Sequence, residues 1–174
     1  LNAKRNNFLK YKKLNNPLEQ TKDIYKKRNK FEEKELKEFS ILFLIMNNLD
    51  IFRKYIELIS EVVFSSDIMN EFKQKLIDYL LNEKFIDRKE IKLEDFDKKF
   101  NNTINLINNN APVKIIYKNK NEGEIVSMFN EIIKEIKKIE LRKKIESLED
   151  KVSVNLDETL YSELLYLRNR LKGG

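Results

Sequence analysis

Phe39-Ser40-Ile41-Leu42-Phe43-Leu44-Ile45-Met46-Asn47-Asn48-Leu49 decides the fold. Leu36, Phe39, Ser40 and Phe43 recur at helical spacing while Ile41, Leu42, Leu44, Ile45 and Met46 fill the other sides, and a helix apolar all round is a buried one. These 11 residues fall well short of the roughly 20 that a membrane-crossing helix needs. The stretch therefore predicts a buried helix of a helical bundle, running from about Phe31 and ended by Asn47-Asn48.

Downstream, the same period recurs. Asp50 opens a short helix with the stripe Ile51, Tyr55, Leu58 and Ile59. Ser65, Ser66 and Asp67 are N-cap candidates for a third helix to about Asn82, with Ile68, Phe72, Leu76 and Leu80 beside Met69, Ile77 and Leu81. Phe96, Phe100, Ile104 and Ile107 predict another over Glu94 to Asn108, stopped by the Asn108 to Asn110 run, because Asn side chains compete for backbone hydrogen bonds. Ala111 to Asn121 has strand-forming residues but no partner strand, and reads as a packed connector. After Gly123, Ile125, Phe129, Ile132, Ile136 and Ile139, then Leu141, Ile145 and Leu148, describe a long helix toward Asp150. Asn155 and Glu158 have capping-box spacing, and Leu160, Leu164, Leu167 and Leu171 form a last stripe that can pack back on the long helix. The expected class is all-α: a multi-helix bundle over residues 31–140, joined by the long helix to a C-terminal antiparallel hairpin over 141–174, with a basic, partly helical arm over 1–30.

Composition removes most catalytic chemistry. The 174 residues include no cysteine and no histidine, which excludes thiol nucleophiles, disulfides, a histidine base and Cys/His zinc sites. Glycine occurs only at 123, 173 and 174, so no phosphate-cradling loop can be written. No catalytic residue, cofactor or metal is assigned. With 41% apolar and 37% charged residues, the chain suits a soluble helical protein. It opens on leucine with no signal peptide, which reads as a piece of a longer cytoplasmic chain.

The net charge of +6 is unevenly placed. Residues 1–31 hold ten cations against Glu19 and Asp23 (10 − 2 = +8), whereas the other 143 residues hold 25 cations and 27 anions (25 − 27 = −2). Such an arm can make weak phosphate contacts, with Phe8, Tyr11 and Tyr25 stacking on bases. A solvated linker around Pro17 is the simpler reading of a Lys- and Asn-rich stretch.

Glu94, Asp95 and Asp97 are dense enough to suggest a hard cation, but acids at a helix start complement its macrodipole, and no ligand ladder accompanies them. The Ile and Leu stripes of the long helix also suit a coiled-coil dimer. Because the chain supplies its own reversal and complementary stripe, a monomeric hairpin is expected instead. That hairpin leaves Tyr161, Leu165 and Arg168, with Tyr166 and Arg170 nearby, on faces it cannot bury. Aromatic, Leu and Arg side chains in such a place are candidates for partner binding.

The order of these elements resembles the C-terminal helicase-interaction domain of bacterial DNA primase (DnaG type), over roughly Phe31 to Leu171. Glu38 followed by Phe39 to Met46 and Leu49-Asp50-Ile51 is similar to the family's acidic residue, Leu-rich helix and Pro-Glu-Leu, with Leu49 standing where the family has proline. Phe64-Ser65-Ser66-Asp67-Ile68 resembles its next feature, and Leu141 to Leu148, Asp157, Glu158, Tyr161, Leu164 and Leu167 resemble its closing hairpin. The resemblance implies docking on the N-terminal domain of the hexameric replicative (DnaB-type) helicase for primer synthesis in DNA replication. The arm then becomes the linker to a polymerase domain, and the fragment itself is no enzyme. Two alternatives stand beside it: the helicase's own N-terminal domain, disfavoured by the mid-sequence start, and a small basic nucleic-acid-binding protein acting through residues 1–31.

Overall fold

The computed structural model describes residues 31–85, 88, 91–155 and 157–173, so the expected arm over 1–30 lies outside the described residues. Residues 32–174 form one unit by their internal packing. The described residues are helical, with no strand among them, so the chain is all-α.

The first helix, α1 (Glu33–Met46), is the buried one. Every residue from Glu38 to Met46 is buried, and Ile41, Leu42, Leu44 and Ile45 have no exposed surface. Asn47 and Asn48 end it by turning their side-chain amides back onto the Phe43 and Leu44 carbonyls, both at 2.8 Å. The long helix α6 (Glu122–Val154), α5 (Asn101–Asn110) and the 3-10 turn Pro112–Ile115 all pack against α1. Glu38 is buried within α1, and its Oε1 accepts the Ser65 N–H and Oγ–H, each at 2.9 Å. That bond ties α1 to the chain entering α4 (Asp67–Leu81).

Where one short helix is expected after Asp50, two form, α2 (Leu49–Phe52) and α3 (Ile56–Ser60), split by a 3-10 turn over Arg53–Tyr55. Tyr55 leaves helical geometry (φ −122°, ψ 29°), and with that bend both Phe52 and Ile59 are fully buried. Lys73 of α4 lies buried beneath this end, donating to the Ser60 and Val62 carbonyls at 3.0 and 2.7 Å; burial pushes its ammonium pKa below the ordinary value. Two members of the predicted α4 stripe face outward: Ile68 and Leu81 are exposed, and Tyr79 is buried in addition.

The helix expected from Glu94 begins only at Asn101. Phe96 and Asp97 are extended (φ −125°, ψ 155° and φ −58°, ψ 142°), and both Phe96 and Phe100 pack on Phe72, with ring centroids 5.3 and 5.4 Å away. Asn108 to Asn110 do not stop α5 but form its last turn, and Asn110 donates to the Leu106 carbonyl. The stop is Pro112, which disfavours helical geometry at Ala111 (φ −62°, ψ 113°). In the connector that follows, Ala111 and Val113 are buried and Tyr117 meets Phe43 edge-on at 5.0 Å, while Ile115 and Ile116 are exposed. Asn119 takes a left-handed turn (φ 64°), which Asn tolerates better than most residues.

α6 starts at Glu122, so Gly123 lies inside its first turn and not before it. Asn121 caps it, accepting from the Glu124 N–H at 2.9 Å while Glu124 accepts the Asn121 N–H at 3.0 Å. Its 33 residues reach about 50 Å at 1.5 Å per residue. The first half buries Ile125, Phe129 and Ile136, with Phe129 and Phe52 ring centroids 4.8 Å apart. Three ion pairs, Glu32 with Lys143, Lys34 with Glu140 and Lys37 with Glu135, lace α1 antiparallel along α6. The Lys143 ammonium, hydrogen-bonded at 2.7 Å, holds the Glu32 carboxyl below its ordinary pKa.

Candidate partner-binding face

Between Ile136 and Leu141 the long helix changes neighbours. Beyond this point Ile145 and Leu148 are buried against Leu164 and Leu167 of α7 (Glu158–Gly173), flanked by the half-buried Leu141, Val152, Leu160 and Leu171. Counted outward from the reversal, the apolar positions match in order, Val152 with Leu160 through Leu141 with Leu171, as an antiparallel hairpin requires.

The cap of α7 differs from expectation. Asn155 terminates α6, and Asp157 caps the new helix instead, its Oδ1 accepting the Thr159 N–H at 2.8 Å and the Thr159 hydroxyl as well. The Thr159 hydroxyl, helped by backbone N–H groups, holds the Asp157 carboxyl below its ordinary pKa. A carboxylate at this position also complements the helix dipole.

The seam accounts for Leu160, Leu164, Leu167 and Leu171 of α7 and leaves Tyr161 48% exposed, Leu165 41% and Tyr166 63%. At about 100° per residue, Arg168, Tyr161 and Leu165 lie within roughly 60° of one another and form one stripe. Tyr166 stands about 100° beyond Leu165, and Arg170 is roughly opposite Tyr161. The five candidate side chains are thus divided: three share a face and two stand elsewhere on the helix. Arg168 is also engaged within the hairpin, donating through Nη2 and Nε to Glu149 Oε1 at 2.6 and 3.1 Å. Arg170 lies on the other flank, where Lys144 pairs with Glu163 at 2.8 Å. Sequence reasoning passed over Val154, 89% exposed at the tip of α6. Its position after the last seam residue, Val152, is the signal.

Within the acidic group at 94–97, Asp95 is engaged by neighbouring side chains and Asp97 stands at the N-cap of the 3-10 turn that leads into α5. Asp95 accepts two bonds from Arg88 Nη1, at 2.7 and 2.8 Å, and one from the Tyr79 hydroxyl at 3.1 Å. Burial pushes the Asp95 carboxyl up, but Arg88, the Lys92 N–H and Tyr79 outweigh it and hold the pKa below the ordinary value. Tyr79 in turn stacks on Phe85, 4.2 Å between centroids, and Arg88 lies over that ring. This clasp joins Tyr79 and Phe85 to Arg88 and Asp95. Among the described residues no set of three acidic side chains is placed to hold a metal ion, and no helix is long and apolar enough to cross a membrane.

No family model matches the chain, and no curated protein or solved structure matches it either.

Proposed function

We propose that this chain is the helicase-docking module of a DNA primase and works in the cytoplasm. In this reading α7 seats Tyr161 and Leu165 in a hydrophobic site on the N-terminal domain of the hexameric replicative helicase, with Arg168 at the rim. Tyr166 and Arg170 make outlying contacts. The single observation that carries the reading is the Arg168, Tyr161 and Leu165 stripe. Two helices bury one stripe of α7 completely enough to hold the hairpin, and this second stripe has no intramolecular use for its ring and its leucine.

The bundle contributes a second, weaker contact. α6 runs unbroken from bundle to hairpin, so engagement of either end raises the effective concentration of the other. The parent's polymerase chemistry belongs to other segments, and this module supplies docking alone.

Pull-down of the chain with the helicase N-terminal domain tests the reading. The Tyr161→Ala, Leu165→Ala double variant should keep its helicity and lose binding by roughly tenfold or more, as truncated hot spots do. Undiminished binding by the folded variant rejects the face. Deleting residues 1–31 should leave helicase binding in place; a fragment whose only activity is nucleic-acid binding, lost with that deletion, rejects the reading altogether.

A further inference from the structure

A second surface lies at the root of the hairpin, on the flank of α7 away from Tyr161. There a groove of about 730 Å³ opens between the middle of α6 and the end of α7. Its floor is apolar, made by Leu141 and Leu171, and its walls carry Lys137, Lys138, Lys144 and Arg170. It shares Lys137 and Glu140 with a narrower cleft of about 170 Å³ lined by Leu58, Val63 and Ile133, so the apolar path continues along α6 toward α3.

The charge of this groove is not used up by the fold. Over residues 134–144 of α6 the sequence has six cations and two acids (6 − 2 = +4), and of these Lys137, Lys138, Lys144 and Glu140 line the groove. Lys143 and Lys144 are paired with Glu32 and Glu163, and both acids are also paired, Glu135 with Lys37 and Glu140 with Lys34. Lys137, Lys138 and Arg170 have no acidic partner among the described residues. Three cations without an acidic partner among the described residues, set around an apolar floor, match a ligand that is greasy on one side and anionic on the other.

We propose that this groove binds an acidic amphipathic helix of a partner protein. Its apolar face lies on Leu141, Leu171 and the cleft beyond, and its carboxylates meet Lys137, Lys138 and Arg170. A nucleic-acid strand fits less well: among the described residues no aromatic ring lines the groove, so bases find nothing to stack on, while the apolar floor would go uncovered. The inference does not rest on the helicase reading, since it draws on the other flank of α7.

The test is fluorescence anisotropy with the full chain and a labelled peptide of about 18 residues, five helical turns, bearing Leu at i, i+3, i+4 and i+7 and Glu elsewhere. The Gln-for-Glu peptide and a single-stranded oligonucleotide of equal charge serve as comparisons. The acidic peptide should bind in preference to both, and the Lys137→Glu, Lys138→Glu, Arg170→Glu variant should lose roughly tenfold or more of that affinity. All three substituted side chains are exposed, so circular dichroism should show unchanged helicity; should the reversal variant unfold, Lys137→Gln, Lys138→Gln, Arg170→Gln makes the same comparison. The Tyr161→Ala, Leu165→Ala variant should bind the peptide as the unaltered chain does. Binding that survives charge reversal, binding lost with Tyr161 and Leu165, or preference for the oligonucleotide each overturns the proposal.

Discussion

Arg168 reaches across the hairpin to Glu149, Nη2 to Oε1 2.6 Å, on the same flank as Tyr161 and Leu165. Both side chains keep more than a third of their surface in water, so the pair contributes at most about 1 kcal/mol to the fold. Its larger consequence is that the guanidinium of the exposed stripe is already neutralised. Glu149→Gln should leave thermal stability within about 1 kcal/mol of the unaltered chain. It should also raise helicase affinity severalfold, because the freed guanidinium then serves an acidic rim. A drop in affinity would remove Arg168 from the contact.

Phe72 and Tyr161 make a contrasting pair. Phe72 has no exposed surface and holds Phe96 and Phe100 together, so Phe72→Ala should cost about 3–5 kcal/mol in urea unfolding. Tyr161 projects into water, and Tyr161→Ala should stay within about 0.5 kcal/mol. A Tyr161 variant as destabilised as the Phe72 variant would mean that the ring is part of the hairpin's packing and not a reserve for a partner.

The buried helix and the hairpin seam are legible in the sequence because each rests on a long periodic pattern that only one packing can satisfy. Ile41 to Ile45 admit no exposed side, and Leu160 to Leu171 need a partner that α6 alone supplies in the right order. The region from Phe85 to Asn101 is not legible. Its shape comes from the Arg88, Asp95 and Tyr79 clasp and from two phenylalanines converging on Phe72, both contacts between residues whose spacing carries no period. The exposed Tyr161 and Leu165 can be read as the remainder of the seam. The division of Tyr166 and Arg170 from them follows from residue spacing around a single helix. Likewise Lys137 and Lys138 read as ordinary surface charge until the end of α7 is laid beside them.

Glu38 carries a structural role that the motif reading alone does not assign. With its carboxylate bonded to both the N–H and the hydroxyl of Ser65, it joins α1 to the start of α4 inside the protein. Glu38→Ala leaves those donors without their acceptor and should cost about 1–3 kcal/mol by chemical denaturation. Glu38→Gln, whose amide oxygen can take the same bonds, should recover much of that loss. Equal destabilisation by both substitutions would show that the charge, not the acceptor, matters at this position.

The cap of α7 sets an acid limit on the hairpin. The Asp157 carboxyl titrates below its unfolded value of 3.8 because the Thr159 hydroxyl and N–H groups favour its ionised form. A folded pKa that lies lower means the unfolded chain binds the proton first on acidification, so the stabilisation is complete above pH 3.8 and disappears as pH falls through the folded value. Asp157→Asn keeps a capping oxygen that does not titrate there, so the variant's melting temperature should depend less on pH below 3.8 than that of the unaltered chain. Asp157→Ala removes the cap and should lower the melting temperature at neutral pH as well. Because α7 presents Tyr161 one turn after Asp157, fraying at this cap unsettles the exposed stripe first, and the Asp157→Ala variant should lose partner binding before the bundle melts. Parallel loss of hairpin and bundle in hydrogen exchange, with no earlier opening of residues 158–162, would show that the cap does not govern the face.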